Sequence, residues 1–144
     1  MNLSSGKKIG GTFRGDPVAL GDVGVVHDFL RKLIEEIGMN ALGFHVYDVP
    51  IHLKRQNIAA DSDEGGVTGL AVLSTSHVAI HTWPLEAAAS FDLHSCRDFD
   101  AEKVTALLRE FFNAVDLSCH DLSFSLHGGS TWPTELRSAA STTL

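Results

Sequence analysis

The sequence predicts an α+β fold of two layers, a mainly antiparallel sheet with two helices on one face. Three observations carry that prediction. The runs Val67–Leu73, His77–Trp83 and Ala88–Ser95 are strand-like and follow one another through connections too short for a crossover helix, so neighbouring strands must run antiparallel. Two other segments, around 26–37 and 104–115, place apolar residues at helical spacing. The chain has 144 residues, 44% of them hydrophobic and 20% charged, which suits a single domain with its own core.

Taken in order, Lys8–Phe13 reads as a short, glycine-rich first strand, and Gly15-Asp16-Pro17 as a turn. Asp22 is placed to cap a first helix. Its buried stripe is Val26, Phe29, Leu30, Leu33 and Ile37, its wet face Arg31, Lys32, Glu35 and Glu36, and Gly38 suits the position just past its end. Ala41–Val49 sets Leu42, Phe44 and Val46 against Gly43, His45 and Tyr47, a strand alternation. Pro50–Gly66 mixes the basic His52-Leu53-Lys54-Arg55 with the acidic Asp61-Ser62-Asp63-Glu64. It reads as a long loop, mobile or docked on a partner subunit. Asp100 caps a second helix with Val104, Leu107, Leu108, Phe111 and Val115 inside. Leu122, Phe124 and Leu126 alternate with Ser123 and Ser125 in a last strand. From His127 the chain is Gly-, Ser- and Thr-rich apart from Trp132-Pro133, and the tail after about residue 130 is expected to be loose.

Leu70–Leu73 is apolar on both alternating faces, so it needs cover on both. Helices cover one; a second subunit's sheet is one way to cover the other, and a homodimer is expected. No apolar run reaches the roughly 18 to 20 residues of a membrane span, and the first residues lack a signal-peptide core, so a cytoplasmic location is expected. Two cysteines make no disulfide framework. A net charge of −7 is what keeping the protein in solution needs, and it argues only weakly against nucleic acid and for a cationic ligand.

The chemistry gathers between Gly66 and Cys96: the hydroxyls Ser74-Thr75-Ser76, the imidazoles His77, His81 and His94, and the thiol of Cys96. No phosphate-cradling glycine motif and no HExxH is present. Three readings remain open on residue types alone. His77, His81, His94 and Cys96 suit a zinc site, though not at any known zinc spacing. The same residues suit a half-buried sheet with hydrogen-bonded histidines and an inert thiol. A serine in a tight turn also suits self-processing. It attacks the preceding carbonyl to give an ester, and elimination then leaves dehydroalanine, which hydrolyses to a pyruvoyl group able to form a Schiff base with a substrate amine.

Resemblance favours the third. Gly66-Val67-Thr68-Gly69, then Ser76-His77-Val78-Ala79-Ile80-His81-Thr82-Trp83-Pro84, then Asp92 and Cys96, resembles the central motif of the prokaryotic S-adenosylmethionine decarboxylase family in residue types and intervals. The order of helices and strands around it agrees as well. The resemblance implies cleavage between Thr75 and Ser76, giving a β chain 1–75 and an α chain 76–144. Ser76 becomes the covalent pyruvoyl cofactor, and no metal is expected. It implies that the Thr68 hydroxyl assists processing, that His81 promotes the elimination, and that Cys96 is the acid that reprotonates the substrate carbon after carbon dioxide leaves. Implied partners are a substrate with an α-amino acid group and a cationic side group, and a second copy of the processed chain. In a regular strand Ser76 and His81 face opposite ways, so a bend or bulge near Ser74–His77 has to break the parity.

The substrate pocket departs from the family. Thr12 stands where the family has an acidic residue, Asp61–Glu64 where it has an adenine-stacking aromatic, and Leu85 where it has Glu, with Glu86 one residue late. Ala87-Ala88-Ala89 replaces an aromatic Tyr-Gly-Tyr, and Arg97 a glycine. Trp83, Tyr47, Glu86 and Arg97 are therefore the substrate-binding candidates: two for stacking, one acid, one carboxylate clamp. S-adenosylmethionine decarboxylation in polyamine synthesis is the leading expectation. The alternatives are arginine or ornithine decarboxylation on the same scaffold, with Asp61–Glu64 meeting the distal cation, and an unprocessed binding or regulatory relative.

Overall fold

The computed structural model describes residues 5–61 and 65–125. Seven strands form one antiparallel sheet: β1 (Ser5–Arg14), β2 (Ala41–Asp48), β3 (Val67–Leu73), β4 (Ser76–Trp83), β5 (Ala88–Ser95), β6 (Val115–Asp121) and β7 (Phe124–Ser125). Their order across the sheet is β2-β3-β4-β5-β1-β6, with β7 paired to the start of β1. Among the described residues four α-helices accompany them, α1 (Pro17–Leu20), α2 (Val23–Glu36), α3 (Val49–Arg55) and α4 (Ala101–Phe112), with one 3-10 turn at Pro84–Glu86. The two-layer α+β arrangement is the one the sequence predicts.

The two long helices start where an aspartate accepts from free backbone N–H groups. Asp22 Oδ1 accepts from Gly24 N at 2.8 Å and Val25 N at 3.2 Å, and Asp100 Oδ1 from Glu102 N at 2.9 Å. Gly38, at φ +69°, follows the last turn of α2 as expected. One core joins Val26, Leu30 and Leu33 of α2 and Val104, Leu108 and Phe112 of α4 to Val67, Ala71, Val78, Ile80, Phe91 and Leu93 of the sheet. Gly69 lies under α2, where an added Cβ would press on Val26 and Leu30 at 3.0 and 3.1 Å.

Several boundaries differ from expectation. The first strand runs from Ser5 to Arg14 and lies inside the sheet, between β5 and β6. Gly15-Asp16-Pro17 is not a bare turn: Asp16 caps α1, one helical turn. Leu42 is 70% exposed, because a register shift between Ala41 and Gly43 breaks the alternation with Phe44 and Val46. The expected loop after Pro50 begins as a helix, α3, which Asp48 caps by accepting from Ile51 N at 3.1 Å. Pro50 sits in its first turn and Lys54 and Arg55 in its last, favourable for the dipole, but α3 buries no residue and so shows no apolar stripe. The second long helix ends at Phe112, since Asn113 turns left-handed at φ 50°. Val115 is therefore not a helix core residue but begins β6, 57% exposed. The last expected strand is reduced to Phe124–Ser125, and Leu126, the tail, and Ser62, Asp63 and Glu64 lie outside the described residues.

The helices cover one face of the sheet. On the other face Leu70 is half-buried and Val72 and Tyr47 are 37% and 43% exposed. The strand that was expected to need cover on both sides has it on one. All the catalytic candidates of β3 to β5 lie on or beside this open face.

Candidate active site

The two ends of the open face carry two separate clusters. The first surrounds Ser76, the first residue of β4, which follows the turn Ser74-Thr75. Its φ is 148°, a backbone region that residues with a side chain rarely adopt, at a cost of order 1–3 kcal/mol. The strain has a consequence for direction. Consecutive strand residues normally point to opposite faces, yet Ser76 Oγ lies 3.2 Å from His77 Nδ1 and 3.1 Å from His94 Nδ1. The parity break that the sequence calls for therefore falls on Ser76 itself.

Register completes this cluster. Ser76 pairs with Ser95 and His77 with His94 across β4 and β5. His77 Nε2 reaches Asp92 Oδ2 at 3.2 Å, and the rings of His77 and His94 meet edge to face at 5.8 Å. His94 rests against Phe124 at 5.3 Å and over Gly6, where a Cβ would lie 2.8 Å from its Nε2. The carbonyl of Thr75, the one a self-cleaving Ser76 must attack, accepts a hydrogen bond from Cys96 N–H at 3.0 Å. The exposed Cys96 thiol borders a cavity of about 410 Å³ shared with Lys7, Arg97 and Phe124. Arg97 directs Nη1 at the Gly38 carbonyl, 3.3 Å away.

The second cluster is built on Thr68 and His81, which face each other in register across β3 and β4. Thr68 Oγ1 and His81 Nδ1 are 2.7 Å apart, and the Trp83 ring stands edge-on to His81 at 4.4 Å. The end of β4 is fixed by Thr82, fully buried, whose hydroxyl donates to the Leu20 carbonyl at 2.7 Å and accepts from Val67 N at 2.8 Å. Gly66, at φ +87°, lets the chain pass the Thr82 carbonyl where any Cβ would collide.

Two of the residues that resemblance joins are thus apart. Ser76 and His81 are five residues apart on one strand, about 16 Å at 3.3 Å per residue, and His81 does not touch Ser76 within the chain. The substrate-binding candidates also divide. Trp83 and Glu86 line a cavity of about 400 Å³ with Pro50, Gly66, Pro84 and Leu85, the last 98% exposed. Tyr47 lies edge-on to His52 at 4.8 Å and borders a different cavity of about 530 Å³ with Asp22, Asp48 and Arg55. Among the described residues no three His, Cys, Asp or Glu side chains are grouped to hold a metal ion, and no helix is long and apolar enough to cross a membrane. Sequence reasoning gave no role to His77, Asp92 or His94 in processing. Their signal was the spacing of Asp92 and His94, two apart on one strand, but only the register brings both to His77.

Desolvation lowers the pKa of both His81 and His94 below 6.5; at His94 the neighbouring His77 and Lys8 act in the same direction and Asp92 against it. Below pH 6.5 the unfolded chain binds protons that the folded chain resists, so stability is full above that pH and falls as pH drops beneath it. The thermal midpoint is expected to be lower at pH 5.5 than at pH 7.5, and replacing both histidines with Gln should flatten the difference, as read by a melting series.

Residues 9–123 match the family model described as S-adenosylmethionine decarboxylase. The chain belongs to the S-adenosylmethionine decarboxylase family. It is similar to the S-adenosylmethionine decarboxylase proenzyme of Parasynechococcus marenigrum strain WH8102, 46% identical over 50 residues, which is 34% of this chain and 39% of the relative. A proenzyme of the same name from Clostridium botulinum strain Langeland is 41% identical over 55 residues, 36% of this chain and 47% of the relative. The chain spans less than half the length of these relatives. The crystal structure of the adenosylmethionine decarboxylase from Aquifex aeolicus superposes with a TM-score of 0.65 at 19% identity, covering 91% of this chain and 98% of that one, which shows a shared fold. The matched span holds Ser76, His77, Asp92, His94 and Cys96 of the first cluster and Thr68, His81 and Trp83 of the second.

Proposed function

We propose that this chain cuts itself between Thr75 and Ser76, converts Ser76 into a pyruvoyl group, and then decarboxylates S-adenosylmethionine. The observation that carries the reading is the setting of Ser76. A strained backbone turns its hydroxyl between two imidazoles, while the carbonyl it must attack is already held by Cys96 N–H at 3.0 Å. That N–H is aimed where negative charge develops on the carbonyl oxygen during attack, the most effective place for a fixed donor. Cutting the chain also releases the strain stored at Ser76.

When formed, the pyruvoyl group supplies the electron sink that decarboxylation needs. The chain's own residues do the rest. Cys96 lies one residue beyond the strand position that pairs with Ser76, and we assign it the proton delivered to the substrate carbon. Trp83 and Glu86 share a cavity at the His81 end of β4, away from Ser76 of the same chain, so we assign them to the partner copy's substrate, Trp83 as a face for the adenine and Glu86 as an acid beside it.

The Thr68–His81 pair supports a dimer. It sits at the opposite end of β4 from Ser76 on the same uncovered face. Two such faces packed about 10 Å apart around a two-fold axis lying across the strands set each end over the other end of the partner sheet. His81 and Thr68 of each copy then serve the Ser76 of the other, and Leu70, Val72 and Tyr47 gain cover.

Arginine or ornithine decarboxylation remains the second reading, favoured by the division of Tyr47 and Trp83 between two cavities and by Leu85 standing open to solvent. Release of labelled carbon dioxide from carboxyl-labelled S-adenosylmethionine, arginine and ornithine decides between them. Turnover of S-adenosylmethionine at least tenfold above the other two is expected. A preference for arginine or ornithine transfers the assignment to them, and no release from any of the three leaves an inactive relative.

A further inference from the structure

Two imidazole nitrogens contact one hydroxyl at Ser76, and only one of them can accept its proton. Asp92 decides which. Its carboxylate is an acceptor only, so His77 Nε2, 3.2 Å from Asp92 Oδ2, must carry the ring proton. The neutral ring then presents a lone pair on Nδ1, the nitrogen that faces Ser76 Oγ at 3.2 Å. His94 Nδ1, 3.1 Å from the same oxygen, is left to donate to it. The Phe124 ring and the absence of a side chain at Gly6 hold the His94 ring in that position.

We propose that His77 is the general base of the first step of self-cleavage, with Asp92 as the residue that fixes its tautomer and His94 as the donor that orients the serine oxygen. The inference rests on the self-cleavage reading above and adds a base for the acyl shift, distinct from the elimination assigned to His81. The Ser76 hydroxyl proton passes to His77 Nδ1 as Oγ bonds to the Thr75 carbonyl carbon. The carbonyl electron pair moves to its oxygen, which faces Cys96 N–H. The carbon–nitrogen bond to Ser76 then breaks, and the imidazolium returns its proton to the departing nitrogen. An ester and a free amine result, with no oxidant and no co-reactant. The order nucleophile, imidazole, carboxylate is that of a hydrolase triad with the two ring nitrogens exchanged. Here the nucleophile attacks its own chain.

The test follows maturation of freshly synthesised full-length chain by denatured mass, at pH 5.5 to 8.5, with hydroxylamine to reveal ester. In the wild type the rate should rise with pH over this range, as expected for a general base. His77→Ala should cut about a hundredfold or more more slowly, the range of lost general-base catalysis, without accumulating hydroxylamine-sensitive ester, and added imidazole should restore part of the rate. Asp92→Asn keeps the side-chain shape and should slow cutting at least tenfold with an altered pH profile, which decides the matter if His77→Ala does not fold. His77→Ala maturing at the wild-type rate, or accumulating ester, overturns the proposal while self-cleavage stands. So does His94→Ala abolishing cleavage while His77→Ala does not. A wild type that stays whole overturns both.

Discussion

Ser76→Ala yields a single uncut chain with no decarboxylase activity. The loss is complete because the hydroxyl is both the nucleophile that opens the Thr75–Ser76 peptide and the atom whose elimination leaves the ketone. Ser76 is only half-buried and contacts His77 and His94 outside the core, so the alanine variant should stay folded. Cys96→Ala is its counterpart. It keeps the backbone N–H on the Thr75 carbonyl and should still mature, but turn over poorly or release wrongly protonated product. Mass spectrometry and carbon dioxide release check both. Cleavage at residue 75 in the alanine variant removes Ser76 from its role, and full turnover in the cysteine variant removes Cys96.

Mixing two inactive variants restores maturation. His81→Ala keeps Ser76 but lacks the elimination base; Ser76→Ala keeps His81 but has nothing to cut. If each His81 serves the other copy's Ser76 across the open face, the mixed dimer holds one complete site. Coexpressed in equal amounts with random pairing, roughly half of the His81→Ala chains should be processed, against almost none when that variant is made alone. The measurement is the fraction of each chain cut, which should rise to nearly all of the His81→Ala chains in mixed dimers purified through distinguishable tags. No cleavage in the mixed dimer places His81 on its own copy's Ser76, which would need a large movement of β4.

Much of this was readable in the residues. β4 and β5 alternate because one face meets the core, and period two is all that a half-buried strand needs to show itself, whereas β3 also carries Leu70 and Val72 on its open face. Asp22, Gly38 and Asp100 mark helix ends through a local mechanism. α3 was not readable by periodicity because it buries nothing, although Asp48 and Pro50 mark its start. β6 was hidden by its exposed, polar sequence and by a helical stripe that continued by chance to Val115. For the site, residue types left three readings open; the family resemblance singled out Ser76, His81 and Cys96, and strand parity then required a break near the serine. They gave no register, and register is what joins His77 to His94 and lays Cys96 N–H on the Thr75 carbonyl.

The most direct test of self-cleavage at Ser76 is the denatured intact mass of the purified protein. Two fragments are expected, one ending at Thr75 and one beginning with a pyruvoyl group in place of Ser76. A single chain with Ser76 intact after prolonged incubation contradicts the proposed activity at its root.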